Sequence, residues 1–173
     1  MRSKPLTYWL TGLSGAGKTT LAQALLQHLR SLGQLACVLD GDELRAGLCS
    51  DLGFSAQDRE ENMRRTAQLA KLLNSQGISA IVALISPTSV GRTMARSTIG
   101  SDQFVEIYVS TPLSVCQQRD PKGLYSKASL DKSFALTGIA APYEAPTHAE
   151  LNIDTSQTTV QKAVECICRF SKP

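Results

Sequence analysis

The sequence predicts an α/β domain built on a five-stranded parallel sheet, and two patterns predict it. Five short apolar runs, TYWLTG (7–12), LACVLD (35–40), ISAIVALIS (78–86), FVEIYVST (104–111) and ELNIDT (150–155), are separated by longer segments, several with helical periodicity. Strand-like runs alternating with helices are the signature of βαβ units, whose strands run parallel. The second, third and fourth runs are almost continuously apolar, as expected of strands covered on both faces. In such sheets, ligands bind beyond the carboxyl ends of the strands, so those loops are where chemistry is sought.

Each helix has its own signals. GKTTLAQALLQHLRSLG (17–33) repeats leucine and alanine at helical spacing and ends at Gly33. SAQDREENMRRTAQLAKLLNSQG (55–77) opens on Ser55 with an acidic first turn, carries Met63, Ala67, Ala70 and Leu73 on one stripe, and closes at Gly77. Residues 157–170 supply a last helix through Val160, Ala163, Val164 and Ile167. Residues 119–145 are rich in Pro, Gly, Ser and Lys with weak periodicity, which predicts a mobile flap. At 173 residues the whole chain, 1–173, reads as one domain large enough to bury a core.

Composition narrows the function classes. A net charge of +3 is too small to argue for nucleic acid. No run approaches the roughly 18 apolar residues of a membrane span, and the N-terminal apolar run is broken too early for a signal peptide. Cys37, Cys49, Cys116, Cys166 and Cys168 are odd in number and lack a C-x-x-C pair, so reduced thiols in the cytoplasm are expected, not a disulfide framework or zinc site.

The most specific motif is GLSGAGKT (12–19), which fits G-x-x-x-x-G-K-[ST] and lies between a predicted strand and a predicted helix. This is the pattern of a P-loop. Its glycines let backbone N–H groups wrap a polyphosphate, Lys18 reaches the β/γ-phosphates, and the Thr19 hydroxyl can ligate Mg²⁺. Gly12, Leu13, Ser14, Gly15, Ala16, Gly17, Lys18, Thr19 and the following Thr20 are therefore assigned to ATP. The glycine spacing does not fit G-x-G-x-x-G, which excludes a dinucleotide cradle. An [NT]-K-x-D element for guanine is absent, and the chain is too short for a motor ATPase, so a small-molecule kinase is favoured.

A kinase also needs an acceptor pocket. The second strand ends in LDGD, placing Asp40 and Asp42 at its carboxyl end. Asp42, beyond the strand, is preferred either to assist Mg²⁺ or to take a proton from the acceptor hydroxyl. Either Asp can instead cap the short helix that follows. Further ligands for a calcium loop are missing. Arg45 and Arg59 bracket Phe54, a ring able to stack on a base while the arginines hold an anion. Asn62 shares the Arg59 face of its helix. Asp58, Glu60 and Glu61 read as helix charges facing water. In the flap, RDPKGLY offers Arg119 to ATP and Lys122 to the acceptor; ordinary surface charge explains them equally well.

These residues together resemble the adenylylsulfate kinase family, which phosphorylates the 3′-hydroxyl of adenylyl sulfate (APS) with MgATP. GLSGAGKT, DGDELRAGL, DLGFSAQDREENMRR, ISP (85–87), CQQRDPKGLY, TGIAAPYEAP and LNIDT occur in the family's order over nearly the whole chain. The resemblance implies a P-loop NTPase fold, Mg²⁺ with ATP, adenylyl sulfate as acceptor, a homodimer, and no nucleic-acid or membrane partner. It implies acceptor contacts from Arg45, Phe54, Arg59, Asn62, Ile85, Ser86, Lys122, Leu136 and Thr137, ATP contacts from Arg119, and catalytic roles for Lys18, Asp42 and Ser86. Ser86 falls where some accounts of the family place a phosphoserine; an in-line transfer between two bound nucleotides needs none, and an acceptor contact is the simpler role.

The departures lie on the acceptor side. After ISP the family has an aromatic, a basic residue and an Asp-Arg pair, whereas TSVGR keeps only Arg92. Leu136 stands where a second stacking aromatic is usual, a loss of about 1 kcal/mol of stacking, and Asp131 and Lys132 replace a glycine and an acidic residue. A paralogue acting on the ribose hydroxyl of another nucleotide conjugate is therefore the alternative.

Overall fold

The computed structural model describes residues 4–131 and 134–170. The sheet has five parallel strands: β1 (Thr7–Thr11), β2 (Ala36–Asp40), β3 (Ser79–Ala83), β4 (Phe104–Val109) and β5 (Leu151–Ile153), in the order β2-β3-β1-β4-β5. The chain adds strands on one side of β1 and then on the other. The loops after β1, β2, β3 and β4 consequently meet along one edge of the sheet, as the position rule requires.

All five expected strands are present, slightly shorter than the apolar runs. β1 is buried throughout, and its alternation divides the core into two layers. Tyr8 and Leu10 join Leu21, Leu25, Ile107 and Ile167 on one face, covered by α1 (Lys18–Ser31) and α7 (Val160–Phe170). Trp9 joins Val82, Met63, Ala67, Ala95 and Phe104 on the other, covered by α3 (Ala56–Ser75) and α4 (Ser89–Ile99).

Three short helices complete the chain: α2 (Gly41–Ala46), α5 (Leu113–Arg119) and α6 (Leu124–Leu130). Neither α4 nor α5 carries a clear apolar stripe in sequence. The buried face of α4 consists of Gly91, Arg92, Ala95 and Ile99, so small residues and one paired cation replace the large aliphatics that betray a helix. Thr88 caps it, its hydroxyl accepting from the Gly91 N–H at 3.2 Å.

The flap is more regular than its composition suggests. Asp120 accepts from the N–H groups of Tyr125 (3.1 Å) and Ser126 (3.0 Å) and so caps α6. The Tyr125 hydroxyl donates to the Ser14 carbonyl at 2.9 Å, docking the flap on the loop after β1. Seven residues are too few for a periodic signal, which is why composition hid this helix. Lys132 lies outside the described residues.

Gly12 marks where the loop leaves β1. Its φ of +149° is rarely adopted by other residues, and an added Cβ would lie 2.4 Å from the Val109 carbonyl oxygen of β4. Gly12→Ala is therefore expected to destabilise the chain by about 3 kcal/mol, a fall in Tm of about 6–12 °C at this size. Differential scanning calorimetry checks it; a Tm within about 2 °C of the parent would refute the clash.

Candidate active site

The loop from Gly12 to Gly17 is fixed chiefly through its carbonyls. Lys18 Nζ folds back to donate to the carbonyls of Gly12 (2.8 Å) and Leu13 (2.7 Å). The hydroxyls of Thr111 (3.0 Å) and Thr155 (2.8 Å) donate to the Ala16 carbonyl. Arg119 Nη1 donates to Thr155 Oγ1 at 2.7 Å and to the Gly15 carbonyl at 3.4 Å. Gly17 caps α1 without any side-chain acceptor on its first turn, which leaves the helix N-terminus for an anion. Thr111, Thr155 and Tyr125 were not anticipated from the sequence, although Thr155 ends LNIDT and Tyr125 ends RDPKGLY, two of the segments that carry the resemblance.

Burial depresses the Lys18 ammonium to a pKa of about 8, and nearby Lys122 adds to the effect. A phosphate in the loop reverses this balance by supplying the missing anion.

At the end of β2 the two aspartates separate. Asp40 is buried; its Oδ2 accepts from the Thr19 hydroxyl at 2.7 Å, and its Oδ1 caps α2 through the Asp42 N–H at 2.9 Å. Asp42, in the first turn of α2, is exposed and ion-paired with Lys122 of the flap. The hydroxyl of Thr19 thus meets Asp40, whereas Asp42, the carboxylate preferred from the sequence, faces Lys122. The strand's last side chain is held against the loop, whereas two residues on the chain has already turned into the helix. Thr19 and Asp40 put two hard oxygen donors in contact beside the phosphate loop, a donor set that suits a divalent cation such as those ATP-using kinases employ.

On the other side, Arg45 and Arg59 flank the Phe54 ring, their guanidinium carbons 4.5 and 5.6 Å from its centre. Arg45 Nη1 donates to the Gly53 carbonyl (2.7 Å), and Arg59 donates from Nε to the Phe54 carbonyl (3.0 Å) and from Nη2 to the Ala135 carbonyl of the flap (3.1 Å). Burial, and then the positive charge of Arg45, lower the Arg59 pKa, which marks a place short of anions. Phe54 itself is 61% exposed, an apolar ring presented between two cations.

Asn62 is only 3% exposed, yet neither amide atom has a hydrogen-bond partner among the described residues, and the Thr137 hydroxyl is likewise buried and unpaired among them. Native chains rarely tolerate this, since each such group forfeits its hydration. Both line one cavity of about 1080 Å³ with Ser14, Gly15, Gly17, Lys18, Thr19, Thr20, Asp40, Asp42, Arg45, Phe54, Arg59, Ile85, Ser86, Arg119, Lys122 and Leu136. Of the residues assigned from sequence, Gly12, Leu13 and Ala16 do not line it; they shape the loop from behind. Leu136 is buried at the cavity wall, and the flap adds a ring that the sequence had not singled out, Phe134, half-buried beneath Lys127. The outward charges of α3 behave as expected: Asp58 meets the capping Ser55, and Arg64 and Arg65 hold the Glu61 carboxyl down to about 2.

Comparison with known proteins places this geometry. The profile of the adenylylsulphate kinase family matches residues 4–154. The adenylyl-sulfate kinase of Shewanella pealeana is 51% identical over 166 residues, covering 96% of this chain and 81% of the relative. The Mycobacterium tuberculosis APS kinase, solved in complex with AMPPNP and APS, superposes with a TM-score of 0.92 at 39% identity, covering 97% of this chain and 98% of that one. A hexameric APS kinase from Thiobacillus denitrificans superposes with a TM-score of 0.73 at 33% identity, covering 98% of this chain and 29% of that one.

Two outcomes follow from the two unsatisfied features. With a depressed pKa, Lys18 costs stability at neutral pH, and the cost is relieved as pH rises from about 8 towards the unfolded value of 10.5. ATP binding at pH 8 should therefore take up about half a proton, which calorimetry in buffers of different ionisation enthalpy will measure; no uptake would contradict the burial of the charge. Asn62→Leu should leave the unliganded chain as stable or up to about 1 kcal/mol more stable, because no hydrogen bond is lost, while acceptor affinity falls at least about tenfold. Urea unfolding and acceptor titration test the pair, and a chain destabilised by more than about 1 kcal/mol would show that Asn62 is bonded after all.

Proposed function

The chain belongs to the adenylylsulphate kinase family, and from that premise we propose that it transfers the γ-phosphate of ATP to the 3′-hydroxyl of adenylyl sulfate. The products are ADP and 3′-phosphoadenylyl sulfate, the activated form of sulfate used in its assimilation. The phosphorus–oxygen bond to the β-phosphate breaks, a bond to the 3′-oxygen forms, and the hydroxyl proton leaves to a base.

The observation that carries this reading is the cavity that joins the Lys18 loop to the unpaired Asn62 amide and the Arg45–Phe54–Arg59 clamp. One end has the donors for a polyphosphate. The other has a ring to stack on a base, two cations for a phosphosulfate, and a buried amide awaiting a polar partner. Ile85, Ser86, Leu136 and Thr137 complete the acceptor walls, while Arg119 braces the ATP side. In this reading Thr19 and Asp40 would hold Mg²⁺, which when bound would offset the negative charge of the phosphates. Asp42, exposed on the cavity and beside Lys122, is the base assigned to the acceptor hydroxyl, and Lys122 exchanges that carboxylate for the substrates' anionic groups. Ser86, whose hydroxyl accepts from the Trp9 indole N–H at 2.9 Å, serves as a wall and contact rather than a phosphate carrier, because an in-line transfer between two bound nucleotides needs none. We further propose a homodimer acting in the cytoplasm, as for the family the sequence resembles; no helix among the described residues is long and apolar enough to cross a membrane.

The test is product identification. Purified chain with MgATP and adenylyl sulfate is expected to release ADP in step with 3′-phosphoadenylyl sulfate identified by mass. A panel of other nucleotides run in parallel covers the paralogue: turnover of one of them, with none of adenylyl sulfate, would overturn the assignment.

A further inference from the structure

Ser86 is one of two non-glycine residues with positive φ among those described, at +48°, and it is only 2% exposed. A serine in this region carries backbone strain, which persists only where the surroundings hold it. The surroundings here are unusually complete. Trp9 Nε1 donates to its hydroxyl at 2.9 Å, and Arg92 Nη1 donates to its carbonyl at 2.8 Å. Next to it, the Thr11 hydroxyl donates to the Ile85 carbonyl at 2.7 Å, and the Glu144 N–H donates to the Pro87 carbonyl at 2.8 Å. Arg92 is itself 5% exposed and ion-paired with Glu106 of β4, 2.8 Å between Nε and Oε1 though without hydrogen-bond geometry; Arg96 Nη2 lies 3.5 Å from the other carboxylate oxygen. Neither Trp9, Arg92 nor Glu106 lines the cavity; Ile85, Ser86 and Pro87 do.

We propose that Trp9, Arg92 and Glu106 are positioning residues for the acceptor: they clamp the strained turn Ile85–Pro87 into the wall against which the acceptor nucleotide is aligned. The inference rests on the acceptor side of the function proposed above, but not on the identity of the acceptor. A buried ion pair and a buried indole N–H are costly devices for packing alone, since apolar groups of the same shape do that at least as well. Their polar ends converge on one strained residue of the cavity wall. Loosening the clamp should therefore relax the turn towards ordinary backbone angles and weaken the acceptor without disturbing the phosphate loop.

The experiment compares Michaelis constants for both substrates in Trp9→Phe, Arg92→Lys and the parent, with Phe104→Leu as a control. Trp9→Phe keeps the ring but removes the N–H; Arg92→Lys keeps a cation for Glu106 but shortens the reach to Ser86. Phe104 packs on Trp9, ring centres 5.6 Å apart, without touching the turn. The clamp predicts that both test variants raise the acceptor KM about five- to tenfold, with the ATP KM within about twofold, the scale expected for losing one buried hydrogen bond. Phe104→Leu should lower Tm and leave both constants near the parent's. Equal shifts in both constants, an unchanged acceptor KM, or a Phe104→Leu shift as large as that of Trp9→Phe would each overturn the proposal. If the parent turns over another nucleotide instead of adenylyl sulfate, the assignment above fails, and the same comparison with that nucleotide still decides the clamp. Should Arg92→Lys fail to fold, Trp9→Phe carries the test.

Discussion

The buried Lys18 ammonium sets the terms for the rest of the molecule. A cation out of water needs carbonyls around it, and Lys18 takes those of Gly12 and Leu13. Those carbonyls stay in place only if the loop does, and the loop is held by Thr111 after β4, Thr155 after β5 and Tyr125 from the flap. The parallel order β2-β3-β1-β4-β5 brings the two threonines alongside β1, and the Asp120 cap brings in the tyrosine. The arrangement is costly until an anion arrives, since the loop solvates the cation incompletely and its pKa drops. That residual cost is a preorganised affinity for phosphate, because the ligand removes it on binding.

The side proposed for the acceptor follows the same logic with different groups. Among the described residues, Asn62 and Thr137 are buried without hydrogen-bond partners, and Arg45 and Arg59 share one ring with no carboxylate bonded to either. Each feature lowers the stability of the unliganded chain. An active site commonly carries such deficits, because the groups that would satisfy them belong to the substrate. The flap is tied across this incomplete region by Arg59 to Ala135 and by Lys122 to Asp42, contacts made by the same side chains that are offered to the acceptor.

What the sequence reveals depends on whether a pattern or a meeting of distant residues carries the information. The five strands were legible because burial on both faces leaves continuous apolar runs. α1, α3 and α7 were legible because a single covered face leaves a stripe. The phosphate loop was legible because backbone geometry imposes glycines at fixed spacing. α4 was hidden because Ile99 is the one large aliphatic on a buried face otherwise made of Gly91, Arg92 and Ala95, and α6 because it has only seven residues and its first-turn N–H groups are met by Asp120, ahead of the helix. The contact of Thr19 with Asp40 was hidden for another reason: two carboxylates two residues apart look alike until the end of β2 is fixed to the residue. Thr111 and Thr155 were hidden because their role exists only once β4 and β5 are neighbours.

The two halves of the site therefore differ in how they can change. The phosphate loop is defined by backbone positions such as Gly12, where a Cβ would strike the Val109 carbonyl, so substitution there is opposed by the fold itself. The wall proposed for the acceptor is defined by side chains of α2, of α3, of the turn after β3 and of the flap, whose exchange alters contacts more than backbone. TSVGR shows how this works: Thr88 becomes a helix cap, and Gly91 leaves room for Met63, whose terminal carbon would lie 2.1 Å from a Cβ at that position. The retained residue, Arg92, is the one whose loss would free the strained turn and leave Glu106 to Arg96 alone. The departures from the family pattern thus fall where the fold permits them, and the residue kept among them is the one the backbone needs.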